Sequence, residues 1–214
     1  MDFLAFLQRR ADDMLVLGLQ HVAVVTAALA LATVIGVGVG VATYRRERPR
    51  ELALATAGAF LTIPSFALLV LFVGPFGLGA TNVVVALTMY GLLPVLRNTI
   101  IGLREVDPFG VESAMGMGMS QRQRLLRLEL PLAWPVIMAG MQVSALILVG
   151  GAAIGAVVLG PGYGELIFAG LYRVGTDVAV DLVLAGLLGV VVVAVLFELA
   201  FVLLRRLTTS RGLR

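Results

Sequence analysis

Cysteine and lysine are both missing from this chain of 214 residues, and histidine and tryptophan occur once each. Without cysteine, neither disulfides, thiolate metal sites nor a cysteine nucleophile is available. All sixteen basic residues are arginine, so the lysine of a phosphate-binding GK[ST] loop cannot be supplied, and any ATP used must be bound by another polypeptide. Charge is also scarce. Charged residues make up 14% of the chain and hydrophobic ones 60%, with a mean hydropathy of +1.03, whereas a soluble domain carries roughly 25% charged residues. These values describe an all-α integral membrane protein with room for about five or six spans of about 20 residues. We read it as a single membrane domain over residues 1–214.

Five apolar runs are expected to cross the bilayer: His21 to Thr43, Leu52 to Val73, Asn82 to about Leu96, Pro135 to about Leu159, and Leu182 to Leu204. Before them, residues 1–18 place Phe3, Leu4, Leu7, Ala11, Met14 and Leu15 on one stripe, as in a helix lying in the membrane interface. A signal peptide would carry its charges ahead of the apolar core, but here Arg9 to Asp13 follow it. A short or re-entrant helix around Gly160 to Tyr172 is left open, because glycine and proline crowd that stretch.

Arginine clusters orient the spans. Arg45, Arg46, Arg48 and Arg50 follow the first span, and Arg205, Arg206, Arg211 and Arg214 follow the last. Placing both clusters in the cytoplasm puts the N-terminus outside, residues 97–134 inside, residues 160–181 outside and the C-terminus inside. The net charge of +3 then reflects positive inside loops and not a nucleic-acid partner. No Asp, Glu, Lys or Arg interrupts the span interiors, and Glu198 sits near the inner end of the last one. Proton-driven carriers place an ionisable relay in the membrane. His21, at the outer edge of its span, is expected to cap or anchor there. An intramembrane enzyme would need a nucleophile with a base, paired carboxylates or metal ligands. The sequence offers none, so no catalytic or metal site is assigned.

One polar interruption, Glu112 to Pro135, stands between apolar runs. It contains Glu112, Ser113 and Ala114, then Gly118 after three residues, and Leu128, Glu129, Leu130 and Pro131 after nine more. Ser113 and Ala114 are small enough for a partner surface to approach the backbone, and Gly118 with Gly116 permits a sharp turn. Pro131, which lacks an N–H, suits the first turn of a new helix, and Pro135 repeats the device at the membrane entry. Two roles are open to Glu112: contact with a partner, or a local cap or pair with Arg104 or an arginine of the loop.

The pattern E-[AS]-A-x3-G-x9-[IL]-x-L-P resembles the cytoplasmic coupling motif of permease subunits of ABC importers, with Ser113 where Ala is usual and Leu128 where Ile is usual. Thr62-Ile63-Pro64-Ser65, Leu93-Pro94-Val95-Leu96-Arg97-Asn98-Thr99, Met117-Gly118-Met119-Ser120 and Leu130-Pro131-Leu132-Ala133 are similar to the glycine betaine, carnitine and choline osmoprotectant subgroup. The run Leu159-Gly160-Pro161-Gly162-Tyr163-Gly164 departs from that subgroup at Pro161 and Tyr163.

The resemblance implies a type I importer permease working as a dimer with itself or a sister permease. It would be served by two ATPase subunits carrying ATP and Mg and by an extracytoplasmic substrate-binding protein, in the bacterial inner membrane. The coupling loop would cover about residues 104–134 and dock on the ATPase through Glu112, Ser113, Ala114, Gly118, Leu130 and Pro131. This chain would bind no cofactor. Thr62, Pro64, Ser65, Pro94 and Asn98 are candidates for the translocation path, or serve only to repair proline kinks. The same machine carrying methionine or another amino-acid-like solute, and a secondary transporter not coupled to ATP, are the alternatives.

Overall fold

A computed structural model describes residues 3–208, which are almost entirely helical, with no strand among them. Arg211 and Arg214 lie outside the described residues. In chain order the elements are α1 (Phe3–Arg9), α2 (Ala11–Thr43), α3 (Glu47–Thr62), α4 (Ser65–Leu71), α5 (Val73–Phe76), α6 (Ala80–Arg104) and α7 (Pro108–Gly116). Next comes a composite helix built from α8 (Gln121–Arg124), a π turn (Leu125–Glu129), α9 (Leu130–Ile154) and a 3-10 turn (Gly155–Val158). The short α10 (Gly164–Leu171) and the long α11 (Asp177–Thr208) complete the chain.

By length and composition, α2, α6, the composite helix and α11 can each cross a membrane, and the α3–α4 pair makes a fifth span if counted as one. The spans are longer than their apolar cores suggest. Residues 11–18 belong to α2 and not to an interfacial helix, because the chain breaks at Arg10 and then runs helical to Thr43. The third span continues seven residues beyond Arg97 to Arg104. The second is no straight helix at all: α3 and α4 meet at 95°. Pro64 forces this break, since it donates no N–H and drives Ile63 before it into an extended conformation (φ −72°, ψ 128°). The segment left open around Gly160 to Tyr172 contains α10, which packs chiefly on α11.

At the centre lies α6, packed against α9 on one side and α2 on the other. Hydrocarbon gives no hydrophobic drive for helices to associate, so close backbone approach must supply it. Glycines permit that approach. A Cβ on Gly36 or Gly40 of α2 would strike Val95 and Thr99 of α6, and one on Gly151 of α9 or Gly155 of the 3-10 turn after it would strike Leu87 and Val83. The two GxxxG pairs are therefore seams within the chain. Polar cross-links reinforce them: Ser144 Oγ donates to Gly91 O (3.1 Å), and buried Asn82 donates to Leu69 O (3.1 Å) and Gly77 O (2.9 Å).

On the α6–α9 seam Gly140 is tightly enclosed, since an added Cβ would lie 2.6 Å from both Asn98 Cβ and Pro94 O. Gly140→Val should therefore wedge α9 from α6 and destabilise the fold by about 1–3 kcal/mol. Gly38→Ala, with nothing within 4 Å of the new methyl, should leave stability unchanged. Thermal unfolding of the purified full chain in detergent compares the two. Equal melting temperatures would remove the glycine argument.

Candidate functional site

Two elements joined by a turn form the elbow at the arginine-rich end of the bundle. Asp107 caps α7 by accepting from the Phe109 N–H (3.0 Å), and Pro108 occupies the first turn, where a missing N–H costs nothing. The helix ends in paired bonds, Met119 N–H to Ala114 O and Gly118 N–H to Met115 O, with Gly118 at φ +80°. That is the glycine-terminated helix end in which only a residue without Cβ is comfortable at the left-handed position. Gly116 is an ordinary helical residue. Ser120 then opens α8 with a reciprocal cap, its Oγ accepting from Gln123 N–H while the Gln123 side chain accepts from the Ser120 N–H.

The new helix thus starts at Ser120 and not at Pro131, and residues 121–134 belong to the fourth span, so the connecting segment is only 105–120. Pro131 leaves its mark differently. It offers no N–H to the helix ladder, and one residue earlier the Leu130 N–H reaches back five residues to Leu125 O, closing the π turn.

Of the sequence-derived elbow residues, Glu112 and Ser113 share an exposed face of α7 with Phe109 and Gly116. Phe109 is 77% exposed and Met117 beside it 73%. Ala114, by contrast, is 3% exposed and faces the protein interior, so it offers no surface to a partner. Leu130 is half-buried and Pro131 exposed, on the composite helix and apart from the α7 face. Glu112 makes no ion pair with Arg104 or a loop arginine among the described residues.

Sequence reasoning passed over the acid that organises this end. Glu129 is 3% exposed. It accepts from Tyr44 Oη (2.5 Å), from Arg45 Nη2 (2.8 Å) and from Arg124 Nε (3.0 Å). Tyr44 and Arg45 follow the end of α2 and Arg124 ends α8, so one carboxylate ties the end of the first span to the start of the fourth. Burial, and the proton shared with Glu129, push the Tyr44 hydroxyl up to about 12, so it donates at every physiological pH. The Arg45 guanidinium also lies over the Tyr44 ring at 5.0 Å. Above this knot opens a cavity of about 410 Å³ whose far lip carries Glu112. A signal was present in the sequence: Glu129 is the only acidic residue between Glu112 and Glu165.

The path candidates are not gathered in one place. Thr62 and Pro64 are exposed at the α3–α4 break, and the Thr62 hydroxyl donates to Ala59 O. Asn98 donates to Pro94 O (2.8 Å) and packs on Gly140. Thr62 therefore serves its local backbone, and Asn98 both its own backbone and the α6–α9 seam. Ser65 alone reaches a cavity, of about 380 Å³ between α4, α6 and α9, which it shares with Tyr90 and apolar walls. The Tyr90 hydroxyl donates to Ile63 O and so braces the proline break. Span interiors are also less free of acid than their composition suggested: Gln142 of α9 donates to Glu198 of α11 inside the bundle.

At the opposite end, His21 is fully buried and not interfacial, its Nε2 donating to Val149 O (3.1 Å). The Tyr163 that set the glycine run apart points inward too. Its hydroxyl donates to Met14 O (2.9 Å), and its ring fills space that a Cβ on Gly18 or Gly189 would occupy.

A model of the family described as binding-protein-dependent transport system inner membrane component matches residues 32–210. The chain is 32% identical over 211 residues to the carnitine transport permease OpuCB of Listeria monocytogenes, covering 98% of this chain and 94% of that one. It is 35% identical to the choline transport system permease OpuBB of Bacillus subtilis (strain 168), over 72% of this chain and 69% of that one. The osmoprotectant import permease OsmY of Salmonella typhimurium shares 43% identity over 52% of this chain and 47% of its own. Among solved structures, an inward-facing MetNI methionine ABC transporter chain superposes with a TM-score of 0.80 over 93% of this chain and 99% of that one, at 22% identity.

Removing the Glu129 carboxylate would leave Arg124, whose side chain is 12% exposed, and the partly exposed Arg45 without their acceptor. Glu129→Ala should cost about 2–3 kcal/mol, as for hydrogen bonds to a charged group, and Tyr44→Phe about 1 kcal/mol. Detergent-solubilised melting curves read both. A Glu129→Ala variant as stable as the parent would show that the knot holds nothing.

Proposed function

Since this chain belongs to the family of binding-protein-dependent transport system inner membrane components, we propose that it is the permease subunit of an ATP-driven importer that moves a small quaternary-amine osmoprotectant of the glycine betaine, choline or carnitine type. It sits in the bacterial inner membrane with its N-terminus outside and the elbow and C-terminus in the cytoplasm. Two copies, or this chain and a sister permease, form the pathway. A separate ATPase subunit binds ATP and Mg below, a substrate-binding protein delivers solute from outside, and this chain binds no cofactor.

The observation that carries the reading is the elbow. Phe109, Glu112 and Ser113 form an exposed face on a helix capped at both ends, and the Glu129 knot fixes the adjoining helix to the end of α2. A partner gripping that face moves the ends of the first and fourth spans together. ATP then shifts the balance between span arrangements only through its different affinity for them.

The substrate class rests on the curated relatives, and the cavity beside Ser65 is compatible with it. Its walls are mostly apolar and carry no charged residue, which suits methylated ammonium groups that need little hydrogen bonding. Tyr90 offers one ring, where tight capture of such a cation takes a cage of several. High-affinity selection therefore falls to the binding protein.

Reconstitution of the chain with its ATPase and binding protein in vesicles tests the whole scheme. Glycine betaine, choline or carnitine with the loaded binding protein should stimulate ATP hydrolysis several-fold. A double variant, Phe109→Ala with Glu112→Ala, should lower ATPase capture at least fivefold without changing the melting temperature. Stimulation by methionine instead would reassign the substrate, and solute uptake without any ATPase would make the chain a secondary transporter.

A further inference from the structure

Four arginines occur within the six residues 45–50, and they are not equivalent. Arg45 is spent on Glu129, and Arg50 lies 3.8 Å from Glu47 with its side chain only 14% exposed. The side chains of Arg46 and Arg48 are exposed and make no hydrogen bond or ion pair among the described residues. Counting Glu47 and Glu51 against the four arginines, residues 45–51 carry a charge of +2.

A groove of about 360 Å³ begins at Pro49, which follows Arg48 in the sequence, and lies between α2, α3 and α6. Pro49 and Leu52 stand at its mouth, Phe60 lies deepest along α3, and Gly36, Val39 and Leu96 close its back. Thr56, the one polar side chain on its wall, spends its hydroxyl on Leu52 O (2.8 Å). The groove therefore offers nothing to a polar ligand along its length. From Pro49 to Phe60 the helix rises about 16 Å, close to half of a hydrocarbon core about 30 Å thick. An apolar slot of this length, beside exposed arginines, matches a hydrocarbon chain carrying an anionic head.

We propose that this groove binds one acyl chain of an anionic phospholipid, with its phosphate held by Arg46 and Arg48. Arg48 lies one turn before Leu52 on α3, and Arg46 is the extended residue immediately before that helix, so both stand at the Pro49 end of the groove. An unpaired guanidinium at the membrane boundary matches a phosphate in charge and in donor geometry. The same lipid then fills the one side on which α3, with Ala57 its only buried residue, is poorly supported by its own chain. This assignment does not depend on what the protein transports.

Native mass spectrometry of the full chain, released from micelles containing equal dioleoylphosphatidylglycerol and dioleoylphosphatidylcholine, tests it. One phosphatidylglycerol per chain should be retained in preference to phosphatidylcholine. The preference should fall about fivefold for each arginine in the Arg46→Gln and Arg48→Gln variants. Both positions are exposed, so folding is preserved. Ala53→Phe, which fills the groove, should reduce retention of both lipids, and glycerol 3-phosphate should not displace the bound lipid. Equal retention of the two lipids, indifference to the arginine variants, or displacement by glycerol 3-phosphate would overturn the site. A disulfide between two Ala53→Cys chains would assign the groove to a second copy and overturn it equally.

Discussion

Close approach of helix backbones is the constraint on which this bundle depends. In lipid, an exposed leucine is as well solvated as a buried one, so helices are held by dispersion contacts and by hydrogen bonds that cannot be exchanged for water. The chain meets this condition by notching α2 and α9 with glycines wherever they cross α6. Most of α11 can then stay apolar and outward-facing, as its long exposed row from Leu184 to Leu207 shows. Polar side chains inside the bundle are correspondingly few, and most are paired: Ser144 with Gly91, His21 with Val149, Asn82 with two carbonyls.

The Glu129 knot is the second constraint, and it works only because the first is met. A carboxylate taken out of water must find donors that stay in place, since an unpaired buried charge costs several kcal/mol. Tyr44 and Arg45 approach because α2 is drawn against α6. Arg124 arrives because the π turn, one residue wider than an α turn, lets the chain from α8 carry Glu129 inward beneath Pro131. Pro131 is thus not a helix start but the reason the helix beside the elbow is wound as it is. A short docking helix attached to such a knot is a stiff handle, which is what the proposed ATPase contact requires.

At the far end, the substitution of Tyr163 into a glycine run is a packing solution. Gly18 and Gly189 leave the space, and the ring and hydroxyl fill it, linking the start of α2 to α11. Leu159, just before, adopts a left-handed conformation (φ 59°) with its side chain 70% exposed. That geometry costs a leucine roughly 1–2 kcal/mol. The Gly79 N–H bond to Val158 O (2.7 Å) helps hold the turn in place.

Composition and pattern made legible the membrane character, the four to five apolar helices and the glycine turn at Gly118. These depend on composition, on apolar runs and on residues such as Gly118 whose backbone requirement is local. The α3–α4 break was half legible, since Pro64 marks the site of a kink but not its 95° angle. The pairings came from tertiary contacts. That Ala114 faces inward while Ser113 faces out, that Asn98 serves a helix seam, that Tyr163 fills a gap left by two distant glycines, and that Glu129 gathers three donors all follow from which helices meet. Such meetings join residues as much as 149 positions apart, as in Tyr163 and Met14, and no local periodicity in the chain encodes them.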